Sequence, residues 1–478
     1  MVILIKLQRS KTMKKLSVVV LAFIFLAASI MAQDRGIQFE PETLGLSPGS
    51  SAADLNIDWY ANTGRGNVSQ VRIFDTKGTL ITTASGMVIN ASQGKVAHKV
   101  TVTGLLPDTQ YRYSVTNDGN NWSDEYNYRT PAQGRFIFAY VGDPQLTRGE
   151  QDKTSKLFSA DKSTARGWND TLVKIASRGV NFIAGVGDQV DTAEGGDEVE
   201  YRNFFAPVEF RSIPFAPAVG NHDRHYLFQY HFNLPNEQKF DPIVNSTNNN
   251  STEIGTVEAA GNYWYLYNNA LFVVLNSSAY PDSAAAARSY IERFDKTLSA
   301  AVSANKGKFT WLFVQHHKST ASVAQHIADK DIQYYVETGF EKLMDKYNVD
   351  FVLAGHDHVY ARSFVMKDGK PVNKDKDKFN NPGGTIYLTA TTASGLKYYN
   401  VFDADGLYEK NNADYPYLVN GLKGSAAYLQ KNLPLSTNIY LQNKKPGYAI
   451  IEVSGNIVTF NVYDIDSNKP IDSFTVTK

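Results

Sequence analysis

The chain has 478 residues, with 48 Lys and Arg against 48 Asp and Glu, so it lacks the cation excess by which a protein grips nucleic acid. Hydrophobic residues make up 42% and aromatic residues 12%, which excludes a broadly disordered chain, and the length suits about three domains of about 150 residues or two unequal ones. Cysteine is absent, which excludes disulfides, thiolate zinc sites, iron–sulfur clusters and a cysteine nucleophile.

From Met13 the sequence reads Lys14-Lys15, an apolar run from Leu16 to Ile30, then Met31-Ala32-Gln33. A basic start, a short apolar core and a small residue before a polar one is the layout of a secretory signal peptide, and the run is shorter than the roughly 20 residues that span a bilayer. Residues 1–32 are therefore expected to be removed. The mature protein should start near Gln33, be secreted, periplasmic or held at the cell surface, and contain no integral membrane segment.

Residues 33–131 read as a small all-β domain. Leu55-Asn56-Ile57-Asp58-Trp59-Tyr60, Val71-Arg72-Ile73-Phe74, Val100-Thr101-Val102 and Tyr111-Arg112-Tyr113-Ser114-Val115 alternate with period two, as half-buried antiparallel strands do. The stretch from Val102 to Tyr113, with Leu105, Pro107, Thr109, Tyr111 and Tyr113, resembles the corner of a fibronectin type III domain. That resemblance implies a Tyr hydroxyl bonded back to the backbone and a structural role. Thr130-Pro131-Ala132-Gln133-Gly134 then reads as a linker.

From residue 135 to 478 strand and helix signals alternate. Phe136–Val141 is a continuous apolar strand that ends in Gly142-Asp143, and Trp168, Leu172, Ile175 and Ala176 predict a helix that stops at Gly179. Phe182–Val186 ends in Gly187-Asp188, and Pro217-Ala218-Val219 leads into Gly220-Asn221-His222-Asp223. Leu271–Leu275 precedes a helix through Ile291, Phe294, Leu298 and Val302; Trp311–Val314 ends in Gln315-His316-His317. A helix around Phe340 to Tyr347 precedes Phe351–Ala354, which ends in Gly355-His356-Asp357-His358. Near the end, two strands flank Ser454-Gly455-Asn456 as a hairpin. Asn245 to Ser251 reads as a surface loop, and Lys374 to Lys378 as a solvated charge run.

Near-continuous strands alternating with helices predict an α/β domain whose sheets are covered by helices. Asp143, Asp188, Asn221, His316, His356 and His358 all fall just past the C-terminal ends of apolar strands, the edge at which open α/β sheets bind ligands. Taken singly, each motif has an ordinary explanation: a turn Asp, an N-cap Asn, a surface His pair. Taken together they favour a metal site, because His222, His316, His356 and His358 are drawn from only nine histidines. Carboxylate, amide and imidazole donors suit Zn, Mn, Fe or Mg. Two such ions about 3.5–4 Å apart can share a carboxylate, activate a water and clamp phosphate oxygens.

In this order the motifs Gly142-Asp143, Gly187-Asp188, Gly220-Asn221-His222-Asp223, His316-His317 and Gly355-His356-Asp357-His358 resemble the calcineurin-like metallophosphoesterases, in the branch typified by purple acid phosphatases. Lys346–Asp350, Val359–Arg362 and Gly447-Tyr448 resemble that branch too. The resemblance implies a layered β-sandwich flanked by helices, with two divalent or mixed-valence ions (Fe, Zn, Mn or Mg). Asp143 and His358 would hold the first ion, Asp188 would bridge, and Asn221, His316 and His356 would hold the second. His222 would serve the phosphate as acid or transition-state donor, with Asp223 orienting its ring and Arg224 touching the phosphate. His317 reads equally as an outer or a structural neighbour.

Two positions depart from the branch. Asp191 stands where purple acid phosphatases have a Tyr ligand, and Gln145 stands where other members have a His ligand. Both are counted among the metal residues; Gln145 either donates its amide oxygen to the ion or hydrogen-bonds a ligand water. The resulting expectation is an exported binuclear phosphatase acting on small phosphomonoesters. The alternatives are a phosphodiesterase or nucleotide pyrophosphatase on the same core, and a non-catalytic surface binding protein.

Overall fold

A computed structural model of the chain describes residues 39–64, 66–91, 93–148, 164–191, 198–223, 227–241, 260–395, 397–399 and 437–478. The expected signal peptide, the loop at 245–251 and Arg224 lie outside these residues. Among the described residues no helix is long and apolar enough to cross a membrane.

The N-terminal domain is a sandwich of two four-stranded antiparallel sheets. One has the order Glu42–Pro48, Leu55–Asn62, Lys95–Val102, Met87–Asn90; the other has Leu80–Ser85, Gln70–Phe74, Gln110–Thr116, Tyr126–Arg129. Leu55, Ile57, Trp59, Val71, Ile73, Val100, Val102 and Tyr113 fill the space between them. The Tyr111 hydroxyl accepts the Leu106 N–H at 2.9 Å, the corner bond expected from the sequence.

The strand Leu55–Asn62 departs from the half-buried expectation. It is buried on both faces up to Ala61, because its polar side, with Asn56, Asp58 and Tyr60, lies against the second domain.

His98 faces the sandwich core, stacked on Trp59 with centroids 5.0 Å apart and with Nδ1 2.8 Å from the Ser69 hydroxyl. Burial pushes its pKa down to about 4. The fold therefore holds the neutral ring, and this contribution to stability is complete above about pH 6.5 and lost as pH falls toward 4. The melting temperature should fall across that window, and less steeply in His98→Phe; equal slopes would remove His98 as a cause.

In the second domain two mixed sheets pack face to face. One has the order Phe215–Pro217, Phe182–Gly185, Arg135–Val141, Gly447–Ser454, Ile457–Asp464, Asp472–Thr477, Lys378–Asn380. The other runs Tyr263–Tyr267, Ala270–Val274, Trp311–Lys318, Phe351–Gly355, Thr385–Thr389, Tyr360–Lys367, Lys370–Asn373, with Thr437–Leu441 paired to Tyr360–Lys367. The core between them is aromatic, with Phe136, Phe138, Phe182, Phe272, Phe313 and Phe351 in mutual contact.

Helices cover the outer faces. Thr164–Ala176 places Trp168, Leu172 and Ile175 on the first sheet, and Ala284–Ala304 places Tyr290, Phe294 and Leu298 on the second. Both were expected from their apolar spacing, as was Phe340–Tyr347. The C-terminal hairpin forms as expected and inserts Gly447–Ser454 antiparallel beside Arg135–Val141, in the middle of its sheet.

Arg135–Val141 and Phe182–Gly185 run parallel, as do Trp311–Lys318 and Phe351–Gly355. Their C-terminal ends carry the polar motifs to one edge of the layered core.

Candidate active site

The loops leave these strands abruptly. Asp143, Gln145, Asp188, His356 and His358 have φ of 50°, 41°, 54°, 73° and 46°. Non-glycine residues hold this left-handed region at a cost of about 1–3 kcal/mol each, and such strain gathers at functional sites. Gly220 makes the crossing of two loops possible, since a Cβ there would sit 2.0 Å from Asp188 Oδ1.

Asp188 lies at the centre and is buried. Its Oδ1 accepts the backbone N–H of His222 at 2.7 Å; its Oδ2 accepts Gln145 Nε2–H at 3.1 Å and lies 3.2 Å from His317 Nε2. Burial alone would raise its pKa, but the imidazoles of His317 and His222 outweigh burial and hold the carboxyl well below the usual carboxylate range. On one side the Asp143 carboxylate accepts the His356 backbone N–H at 2.9 and 3.0 Å, and its Oδ1 lies 3.4 Å from His358 Nε2. On the other side His317 Nε2 lies 2.9 Å from Asn221 Oδ1 and 3.1 Å from His356 Nδ1.

Two of the rings are oriented by carbonyls. His317 Nδ1 meets Val186 O at 2.8 Å, and His358 Nδ1 meets Lys397 O at 2.7 Å. Each Nδ1–H donates to its carbonyl, which turns each Nε2 into the cluster, the arrangement that outer partners impose on metal-binding imidazoles.

The structure corrects the assignment of His316. Along Trp311–Lys318 alternate side chains face opposite ways: Trp311 and Phe313 enter the core between the sheets, while Leu312 and Val314 pack under the helices. His316 follows Leu312 and Val314, so it lies against Phe340 with ring centroids 4.7 Å apart and its Nδ1 3.3 Å from Ser277 Oγ. Burial pushes its pKa down to about 3, so it is a neutral core ring. His317 takes the place in the cluster that was expected of His316. Both histidines lie inside the strand rather than past its end.

Asp223 also has another task than the one expected. Its Oδ1 accepts the Gln189 N–H at 2.9 Å and its Oδ2 the Gly220 N–H at 2.9 Å, which ties two loops together. Burial, reinforced by the nearby Asp188 charge, pushes its pKa up to about 8. The ring of His222 is oriented instead by the Asp191 carbonyl, 2.5 Å from its Nδ1. The Asp191 carboxylate also stands beside His222, with Oδ1 3.9 Å from the same nitrogen.

Two groups were not foreseen. His326 stacks on His356 with centroids 4.1 Å apart, holds Asp329 Oδ2 at 2.6 Å through Nδ1, and remains 19% exposed. Tyr399 sets its ring edgewise to His326 and His358, with centroids at 4.5 and 5.0 Å. Both come from irregular segments without a periodic signal. The one hint was the His326–Asp329 spacing, which a helical turn at Gln325–Ala328 brings together.

Two buried carboxylates, three imidazoles and the Asn221 amide oxygen thus converge in one cluster, with His222 and His326 at its margins. Residues 136–360 match the family described as calcineurin-like phosphoesterase, and the chain resembles the calcineurin-like metallophosphoesterases. Residues 41–130 match the purple acid phosphatase N-terminal domain, so the resemblance extends to the purple acid phosphatase-like branch. It is 23% identical over 306 residues to "Probable inactive purple acid phosphatase 24" of Arabidopsis thaliana, a match that spans 59% of this chain and 46% of that one. It is 22% identical over 320 residues to "Acid phosphatase type 7" of Homo sapiens, which spans 62% and 64%. These matches therefore cover about half to two thirds of the relatives' own lengths. A purple acid phosphatase from yellow lupin (Lupinus luteus) seeds shares the fold, with a TM-score of 0.62 at 16% identity over 91% of this chain and 74% of that one.

Proposed function

We propose that the chain is a binuclear metallophosphatase that hydrolyses small phosphomonoesters outside the cytoplasm. The observation that carries this reading is the meeting of Asp188, His317 and His356, whose ligand atoms lie within 4.8 Å of one another. The donor set fits metal ions by its own chemistry. Oxygen acceptors and inward imidazole nitrogens crowd together, and the buried Gln145 Oε1 has no hydrogen-bond partner among the described residues. Burial opposes a positive charge on His317, but Asp188 and Asp143 push its pKa up to about 9. A cation among the same atoms would take the place of that charge and release the proton.

Asp143, Gln145, Asp188 and His358 would hold the first ion, and Asp188, Asn221, His317 and His356 the second. Asp191 stands with His222 and serves as its support. When bound, such ions supply an activated water and a clamp on phosphate oxygens. His222 then has the proton work: with Nδ1–H held by the Asp191 carbonyl, its Nε2 lies 3.9 Å from Asp188 Oδ2 and can protonate the departing alcohol. His326 offers a second imidazole to phosphate oxygens from the His356 side.

Metal analysis combined with a phosphatase assay on purified protein tests the reading; neither metal nor turnover would end it. Metal without turnover would favour a metal-holding binding protein, the reading that Asp191 in place of a Tyr ligand supports. The exchange of the two adjacent histidines has its own test. His317→Ala should lose one of the two ions and nearly all turnover, whereas His316→Leu should keep both; the opposite result would restore His316 to the site.

A further inference from the structure

The sandwich does more than precede the second domain. Asn56, Asp58 and Tyr60 face outward from their strand, opposite Thr101, Lys99 and Ala97 of the neighbouring strand. An outward polar face normally meets water. Here it is buried, with Asn56, Asp58 and Tyr60 at 3%, 2% and 2% exposure.

What covers it is a specific set of elements. Lys99 Nζ donates to the carbonyls of Gln229 and Phe232 at 2.5 Å each, at the C-terminal end of the short helix Phe228–His231. Asn56 Nδ2 donates to Asn233 O at 2.7 Å, and Asn233 Nδ2 returns a bond to Val100 O at 3.2 Å. The His231 ring lies between Tyr60 of the sandwich and Tyr201, with centroids at 4.3 and 4.1 Å. His231 Nε2 meets Glu198 Oε2 at 2.8 Å. Glu198 and Tyr201 belong to the helix Glu198–Phe205, whose Phe205 would lie 2.7 Å from a Cβ at Gly45 of the sandwich.

Both clamped elements lie next in the chain to the groups around His222. The short helix begins five residues after Asp223, and Glu198 follows seven residues after Asp191, whose carbonyl holds the His222 ring. We propose that the β-sandwich is a positioning element for the proposed reaction, in which Lys99, with Asn56 and Tyr60, fixes the segments that aim the His222 imidazole. This inference rests on the proposed phosphatase function. It makes Lys99 a positioning residue, since it acts through the backbone and touches no reacting atom. The ammonium suits the task because it satisfies the carbonyls of Gln229 and Phe232 at once.

The test uses the full chain with Lys99→Met, which keeps the unbranched apolar stem and removes the donor. Amide exchange at His222 and at 227–233 should quicken, while Phe351–Gly355 exchanges as before. Metal content and KM should be unchanged. The kcat for ethyl phosphate should fall about 10-fold more than the kcat for 4-nitrophenyl phosphate, less than the roughly 10²-fold that a 1 Å misplacement can cost. The difference between substrates arises because only the poor leaving group needs the proton. Lys99→Arg should restore part of both effects.

Unchanged exchange, or an equal loss on the two phosphates, would overturn the positioning role. If Lys99→Met does not fold, Asn56→Ala removes one bond to Asn233 and carries the same readouts. A wild-type protein that turned over neither phosphate would overturn the phosphatase reading instead, and the exchange measurement would still judge the clamp.

Discussion

Asp188→Asn is expected to remove bound metal and abolish hydrolysis together. Asn accepts the left-handed backbone that Asp188 adopts, at φ 54°, so the change tests charge rather than strain. The amide oxygen can still receive the His222 N–H, which keeps the neighbouring turn in place. What disappears is the anion that His317 and, by proposal, two cations require at the centre of a buried cluster. The loss in metal affinity should exceed the about 10–100-fold typical of removing an outer partner, because Asp188 is assigned a direct bond to both ions. Metal stoichiometry at fixed free metal, read beside turnover, checks this. A variant that kept both ions and hydrolysed normally would show that Asp188 does not bridge.

His222→Ala should give the complementary result. Its backbone N–H still reaches Asp188, and its ring is assigned no metal bond, so metal content should stay near normal. Turnover of an alkyl phosphate should fall by roughly 10²–10⁴-fold, the size of a general acid–base contribution, and an activated aryl phosphate should suffer less. If the variant lost its metals, or left alkyl-phosphate turnover untouched, the proton role would belong elsewhere, with His326 the next group to test.

Much of this was readable in the sequence because buried strands announce themselves as apolar runs and the site begins where those runs stop. Asp143, Asp188, Asn221, His356 and His358 are singled out in this way, and the structure brings them into one cluster. The choice between His316 and His317 was harder for a physical reason. Trp311–Lys318 is buried on both faces, so Leu312 and Val314 look no different from Trp311 and Phe313, and nothing polar marks which side is which. A bulge in its pairing between Gln315 and Lys318 adds to the difficulty. Asp223 misled because Asn221–Asp223 forms a tight turn that sends its carboxylate back to backbone amides. The alternation in Leu55–Tyr60 gave the right strand and the wrong environment, since a polar face buried by another domain reads like one facing water. His326 and Tyr399 belong to stretches without a period, and only the folded chain brings them to the rim.

The position of Gly447–Ser454 has a consequence for how the protein is made. That strand is the central neighbour of Arg135–Val141, and the ion pair between Arg135 and Glu452 joins residues 317 positions apart. On the ribosome, the strand that delivers Asp143 must wait with one edge open while the rest of the domain is synthesised. Closing so large a loop is a slow step, because its entropy is lost before the contacts form. A nascent chain that stops short of this strand has Asp143, Asp188, His317, His356 and His358 but no completed sheet to hold them. On the proposed assignment, capture of metal would belong to a chain synthesised at least through residue 454.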